Sequence, residues 1–221
     1  MRTLRGLFLL LAVVPLLPAA TIYWTDWTSS DAAGVYGVIT LADSTTINVT
    51  YTGGYYLAQV SGGIDYWQGR NSPGQPYVGG VIGNAPDSAD PPGSDIIEVG
   101  TGAGGAFTFS EPVLDPVMGV VSLNGPTLTF SAPFTVQDSG CGYWGCGTLA
   151  VGPGNLLYTI DGLEGHGSVE FQGSYSSISF TESGAENWRG LTVGVQGIPE
   201  PATFALLGLG LIGMGLVRRR R

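Results

Sequence analysis

The sequence predicts an all-β fold: an antiparallel β-sandwich of the jelly-roll or lectin-like kind. Three observations predict it. The 221-residue chain holds 37 glycines and 14 prolines, yet 43% of its residues are hydrophobic. Many short strands joined by tight turns give that balance, whereas collagen needs a strict glycine period and disorder needs few apolar residues. Alternating polar and apolar runs recur at short intervals, and residues 21–197 show no sustained 3.6-residue apolar period.

The strands are justified in chain order. The clearest early run is Thr46-Ile-Asn-Val-Thr-Tyr51, followed by Ala106-Phe-Thr-Phe-Ser110 and Thr127-Leu-Thr-Phe-Ser131, all of period two. Ser168-Val-Glu-Phe-Gln172 and Tyr175-Ser-Ser-Ile-Ser-Phe180 flank Gly173-Ser174, and a two-residue Gly-Ser link predicts a type II′ hairpin. Further strands are expected at 22–28, 35–41, 55–60, 77–82, 117–123, 156–160 and 188–195. Residues 69–105, rich in Pro, Gly and Asp, are expected to form long loops around one or two short strands.

Between Thr21 and Gly197 there are sixteen Asp and Glu against two Arg, and the whole chain lacks lysine. Phosphate backbones would be repelled by so acidic a domain, which excludes nucleic acid as a partner. The missing lysine also excludes a Walker-type phosphate loop.

Both ends carry addresses. Residues 1–20 place Arg2 and Arg5 before the apolar stretch Leu7 to Leu17, with small Ala19 and Ala20 after it. That is the three-part pattern of a secretory signal peptide. At the other end, residues 202–217 are sixteen uncharged and mostly apolar residues, about 24 Å as a helix and a candidate membrane span. Arg218, Arg219, Arg220 and Arg221 follow as a positive membrane stop. The apolar tail also contains Gly208, Gly210 and Gly213 in GxGxxG spacing, without the strand and acidic residue that a dinucleotide site requires.

Pro199-Glu200-Pro201, the apolar helix and the arginine cluster together resemble the PEP-CTERM sorting signal of Gram-negative bacteria. The resemblance implies recognition and processing of residues 198–221 by an exosortase, after transient anchoring in the inner membrane. It further implies a destination at the cell surface or extracellular matrix, in association with exopolysaccharide and biofilm. Ser94-Asp-Ile-Ile97, the run from Phe107 to Ser122, and Gly165-His-Gly-Ser-Val-Glu-Phe171 leading to Glu186-Asn-Trp-Arg-Gly190 are similar, more loosely, to soluble domains of PEP-CTERM proteins. The exported domain is thus expected at 21–197.

Cys141 and Cys146 are the only cysteines, and a close even pair in an exported chain is expected to be a disulfide. His166 is the single histidine, and no GxSxG nucleophile elbow exists, so no catalytic residues are assigned. The acidic stretch containing Asp87, Asp90, Asp95 and Glu98 is the candidate site for a structural calcium ion, the only cofactor considered. Tyr66-Trp67 and Tyr143-Trp144 are the aromatic pairs most expected at the surface, where they could contact glycan rings. The expectation is a non-enzymatic structural protein, with a carbohydrate-binding module as alternative and a glycoside hydrolase behind it.

Overall fold

Alternation in some strands and near-continuous apolar runs in others divide the chain into two kinds of sheet. A computed structural model describes residues 21–67, 77, 95–99, 102, 104–125, 127–184 and 186–197. The signal peptide, the sorting motif Pro199-Glu200-Pro201 with its helix and arginines, Asp87, Asp90 and most of the strand expected at 77–82 lie outside the described residues.

Fifteen strands are described: β1 (Ile22–Trp24), β2 (Asp26–Asp31), β3 (Gly34–Thr40), β4 (Thr46–Gly53), β5 (Tyr55–Gln59), β6 (Ile96–Val99), β7 (Gly105–Leu114), β8 (Val117–Leu123), β9 (Thr127–Phe130), β10 (Thr135–Gly140), β11 (Leu149–Gly152), β12 (Leu156–Thr159), β13 (Gly165–Glu170), β14 (Ser174–Ser183) and β15 (Gly190–Gln196). No helix occurs among the described residues. One sheet runs β10-β13-β8-β15-β6-β5, with β1 also beside β15. The other runs β11-β12-β9-β14-β7-β4-β3-β2. Every neighbouring pair named here is antiparallel.

The two sheets face each other across one apolar core. Met118, Val120, Val169, Phe171, Leu191 and Val193 enter it from the first sheet, and Ile47, Val49, Tyr51, Phe107, Ile178 and Phe180 from the second. Strands of the second sheet alternate buried and open residues, as in β4. The first sheet differs, because β8 is buried along its whole length and β15 nearly so. A second apolar layer explains this: Trp67 and Tyr77 pack with Val117, Val121, Ile96 and Trp24 on its outer face. Strands covered on both faces are near-continuously apolar, and Val-Met-Gly-Val-Val-Ser-Leu in β8, broken only by Ser122, is such a run.

The hairpin expected at Gly173-Ser174 is not formed. β13 pairs with β8 and β10, whereas β14 pairs with β7 and β9 in the opposite sheet. The link is a corner at which the chain changes sheet, and the neighbouring β7–β8 segment turns the same corner beside it. Asp115 N donates to Gly173 O at 2.8 Å, and Gly173 N donates to Asp115 Oδ1 at 2.6 Å. Gly173 holds φ 120°, which an L side chain rarely adopts. Corners of this type let one strand serve two sheets.

The sheets are also stitched by polar contacts. Trp27 on β2 donates its indole N–H to Thr192 Oγ1 on β15 at 3.0 Å, and its backbone N–H to Asp95 Oδ1 at 2.8 Å. Arg189, just before β15, forms a two-pronged pair with Glu182 on β14, and both side chains are fully buried.

Candidate functional site

One end of the first sheet carries a bulge, and the bulge shapes the site. The β13–β8 register shifts between Gly165 and Gly167, and Ser122 opposite them adopts φ 61°. Its backbone N–H is taken by Nδ1 of the fully buried His166 at 3.4 Å. Gly142 lies on the imidazole so closely that a Cβ there would come within 2.2 Å of the ring. Burial holds His166 neutral, with its pKa lowered to about 4. A neutral ring that accepts at Nδ1 carries its proton on Nε2. This histidine braces a bulge.

The strained Ser122 presents its hydroxyl to Glu164, donating to Oε2. Ser122, Glu164 and His166 are therefore neighbours, but the imidazole takes a backbone N–H and not the serine hydroxyl, unlike a nucleophile–base pair. Asn124, just beyond β8, joins two carboxyl groups. Its Nδ2 donates to Glu164 Oε1 at 2.9 Å, and its backbone N–H to Glu186 Oε2 at 3.0 Å. Burial, with the charges of Glu164 and Glu182 adding, pushes the Glu186 carboxyl up to about 8.

Beside these polar groups stands an aromatic cluster. The Cys141–Cys146 disulfide closes a small loop, which loop-closure entropy values at about 2 kcal/mol. Gly142 N–H donates to Gly145 O at 2.8 Å inside that loop, and Tyr143-Trp144 occupies its tip. Gly147 N–H donates to Glu164 O at 2.7 Å, which ties the loop to the segment carrying the carboxylate. Trp144 packs on Trp188 at 4.3 Å between ring centroids, and Tyr66 stacks on Trp144 at 5.2 Å. Glu98 on β6 accepts a hydrogen bond from the Trp188 side chain, and burial raises its pKa. Ser122, Asn124, Trp144, Glu164, Glu186, Asn187 and Trp188 line an open pocket of about 390 Å³.

The expected aromatic contacts divide unequally. Trp144 is 41% exposed at the pocket and Tyr66 is half-buried behind it. Trp67 and Tyr143, expected at the surface, are only 1% and 8% exposed. Trp67 is drawn into the outer apolar layer, and Tyr143 supports Tyr66 and Trp144 edge-on. Of the acidic stretch, Asp95 is turned inward to the Trp27 N–H and Glu98 to Trp188. Sequence reasoning missed Trp188, Asn124, Glu164 and Glu186 as site residues. Two of them, Glu186 and Trp188, stood in a run already noted for resemblance, and Glu164 immediately precedes another, Gly165-His-Gly.

The architecture is thus a two-sheet β-sandwich with an aromatic-walled, carboxyl-lined pocket. Residues 197–221 match the PEP-CTERM protein-sorting motif. That motif implies export, a membrane-anchored sorting signal and processing by an exosortase. No curated protein and no solved structure matches the chain.

The histidine brace makes a pH dependence. His166 goes from an ordinary 6.5 to about 4 on folding, so the unfolded chain binds the extra proton between those values and stability rises with pH. At 1.36 kcal/mol per unit the shift corresponds to about 3 kcal/mol, present above pH 6.5 and lost progressively towards pH 4. Glu186 acts oppositely, its contribution being lost as pH rises through about 8. His166→Asn keeps an acceptor near the Nδ1 position and does not titrate. Urea unfolding at a series of pH values is expected to show the wild type losing about 3 kcal/mol more than this variant over the acid window. Parallel curves would remove His166 as the cause.

Proposed function

We propose that the protein is an exported, exosortase-processed component of the cell surface or extracellular matrix, whose β-sandwich holds exopolysaccharide without cleaving it. The observation that carries this reading is the pocket flanked by Trp144 and Trp188 and floored by Asn124, Glu164 and Glu186. Sugar rings offer C–H faces to indoles and hydroxyls to carboxylates and amides, and a pocket combining both suits them. The sorting motif supports delivery to the place where such polymers accumulate. The disulfide that sets Trp144 in place suits an exported domain.

A second reading is glycoside hydrolysis, favoured by two carboxyl groups sharing Asn124, one of them protonated near neutrality. One experiment separates the two. The mature protein is applied to a glycan array, and every bound glycan is then incubated with it and assayed for new reducing ends. Binding that falls about tenfold or more in Trp144→Ala, with no reducing ends formed, is the expected result. Reducing ends that vanish in Glu186→Gln would establish the hydrolase, and an array without binding would refute both.

A further inference from the structure

The chemistry lining the pocket restricts the sugar it would hold, and this step rests on the glycan-binding reading above. Glu164 and Glu186 accept hydrogen bonds from the groups beside them. The Ser122 hydroxyl is donated to Glu164, the backbone N–H of Asn124 to Glu186, and one Nδ2 hydrogen of Asn124 to Glu164. Each Glu164 oxygen accepts one of these bonds, and a carboxylate oxygen can accept a further one. Glu164 therefore keeps acceptor capacity for a ligand in the pocket.

Charge points the same way. Among the described residues, no Arg, Lys or His lines the pocket. The nearby Arg189 is fully buried and clasped by Glu182, so its charge is not offered to a ligand. A uronic acid or sulfated sugar would bring like charge towards Glu164. A protonated amine would bring three hydrogens and the charge opposite to that of Glu164. The indole wall contributes independently, since the electron-rich faces of Trp144 and Trp188 attract a cation as well as the C–H face of its ring. Two glutamates without that wall would attract only solvent.

We propose that the pocket between the Trp144–Trp188 wall and the Glu164–Asn124–Glu186 floor binds a glycan bearing free protonated amino groups, a de-N-acetylated amino sugar.

Two probes with the same backbone test this: hexamers of β-1,4-linked glucosamine and of N-acetylglucosamine, which differ only in whether the amine is free. Affinities for the mature protein are measured by calorimetry at mildly acidic pH, where the free amine is protonated. The wild type is expected to bind the free-amine hexamer about tenfold tighter or better. Glu164→Gln keeps an acceptor oxygen for Asn124 and is expected to shrink the preference to about twofold. Tryptophan fluorescence of Trp144 and Trp188 reports whether the variant keeps its wall. Equal or tighter binding of the acetylated hexamer, or a preference unchanged in Glu164→Gln, would overturn the amino-sugar assignment and leave glycan binding standing. Failure of both hexamers, together with an empty glycan array, would sink glycan binding and this assignment together.

Discussion

Arg189→Met is expected to cost the domain about 3–5 kcal/mol, because it strands the buried Glu182 carboxylate without its partner. In a domain of this size that lowers the melting temperature by roughly 10 °C. The cost arises from the orphaned charge and not from the pair's own attraction. Two ions removed from water lose most of what they gain from each other, so a buried pair adds little net stability. Arg189→Met combined with Glu182→Leu should therefore recover most of the loss, since an apolar pair of similar volume has no charge to desolvate. Denaturant unfolding of wild type, single and double variants completes the cycle. A single variant as stable as wild type would mean that water reaches Glu182.

Trp27→Ala is expected to cost a similar amount, about 3–5 kcal/mol, for a different reason. Trp27 is fully buried between the sheets and packs near Phe107, with ring centroids 6.2 Å apart. Its removal leaves a cavity that the flanking strands can close only in part. It also leaves the Thr192 hydroxyl without its indole donor. Thr192→Val isolates the second effect and should cost only about 1 kcal/mol. If the two variants proved equally destabilised, the hydrogen bond and not the ring volume would be holding the sheets together.

Neither contact was visible in the sequence as a contact, although the strands around them were. β4, β7 and β14 were legible because one open face forces polar and apolar residues to alternate. β8 was legible because burial on both faces leaves a near-continuous apolar run. β10 escaped because Thr-Val-Gln-Asp-Ser-Gly has a single aliphatic residue, and an edge strand can be held by backbone pairing alone. β6 and β11 are four residues each and adjoin Gly- and Pro-rich segments, too short for a period to declare itself.

The Gly173-Ser174 link misled for a definite reason. A glycine at positive φ serves a tight hairpin and a sheet-crossing corner equally well, and only the partners of β13 and β14 distinguish them. Trp67 and Trp144 show the same limit at the site. Both follow a tyrosine near glycines, yet one is buried in the outer apolar layer and the other sits at the tip of the disulfide loop. Arg189 did carry a usable signal. It is one of only two arginines among sixteen acids in residues 21–197, and a cation so rare is suited to a specific partner.

Strand β15 has a mechanical consequence. It begins just after the pocket residues Glu186, Asn187 and Trp188 and ends one residue before the sorting tail, so its seven residues form a strut of about 23 Å between them. It is flanked on one side by β8 and on the other by β6 and β1. A pull between a held polymer and the chain beyond Gly197 would run along this strut. The hydrogen bonds on both of its sides would then have to shear together, whereas a strand drawn away sideways gives up its bonds one at a time.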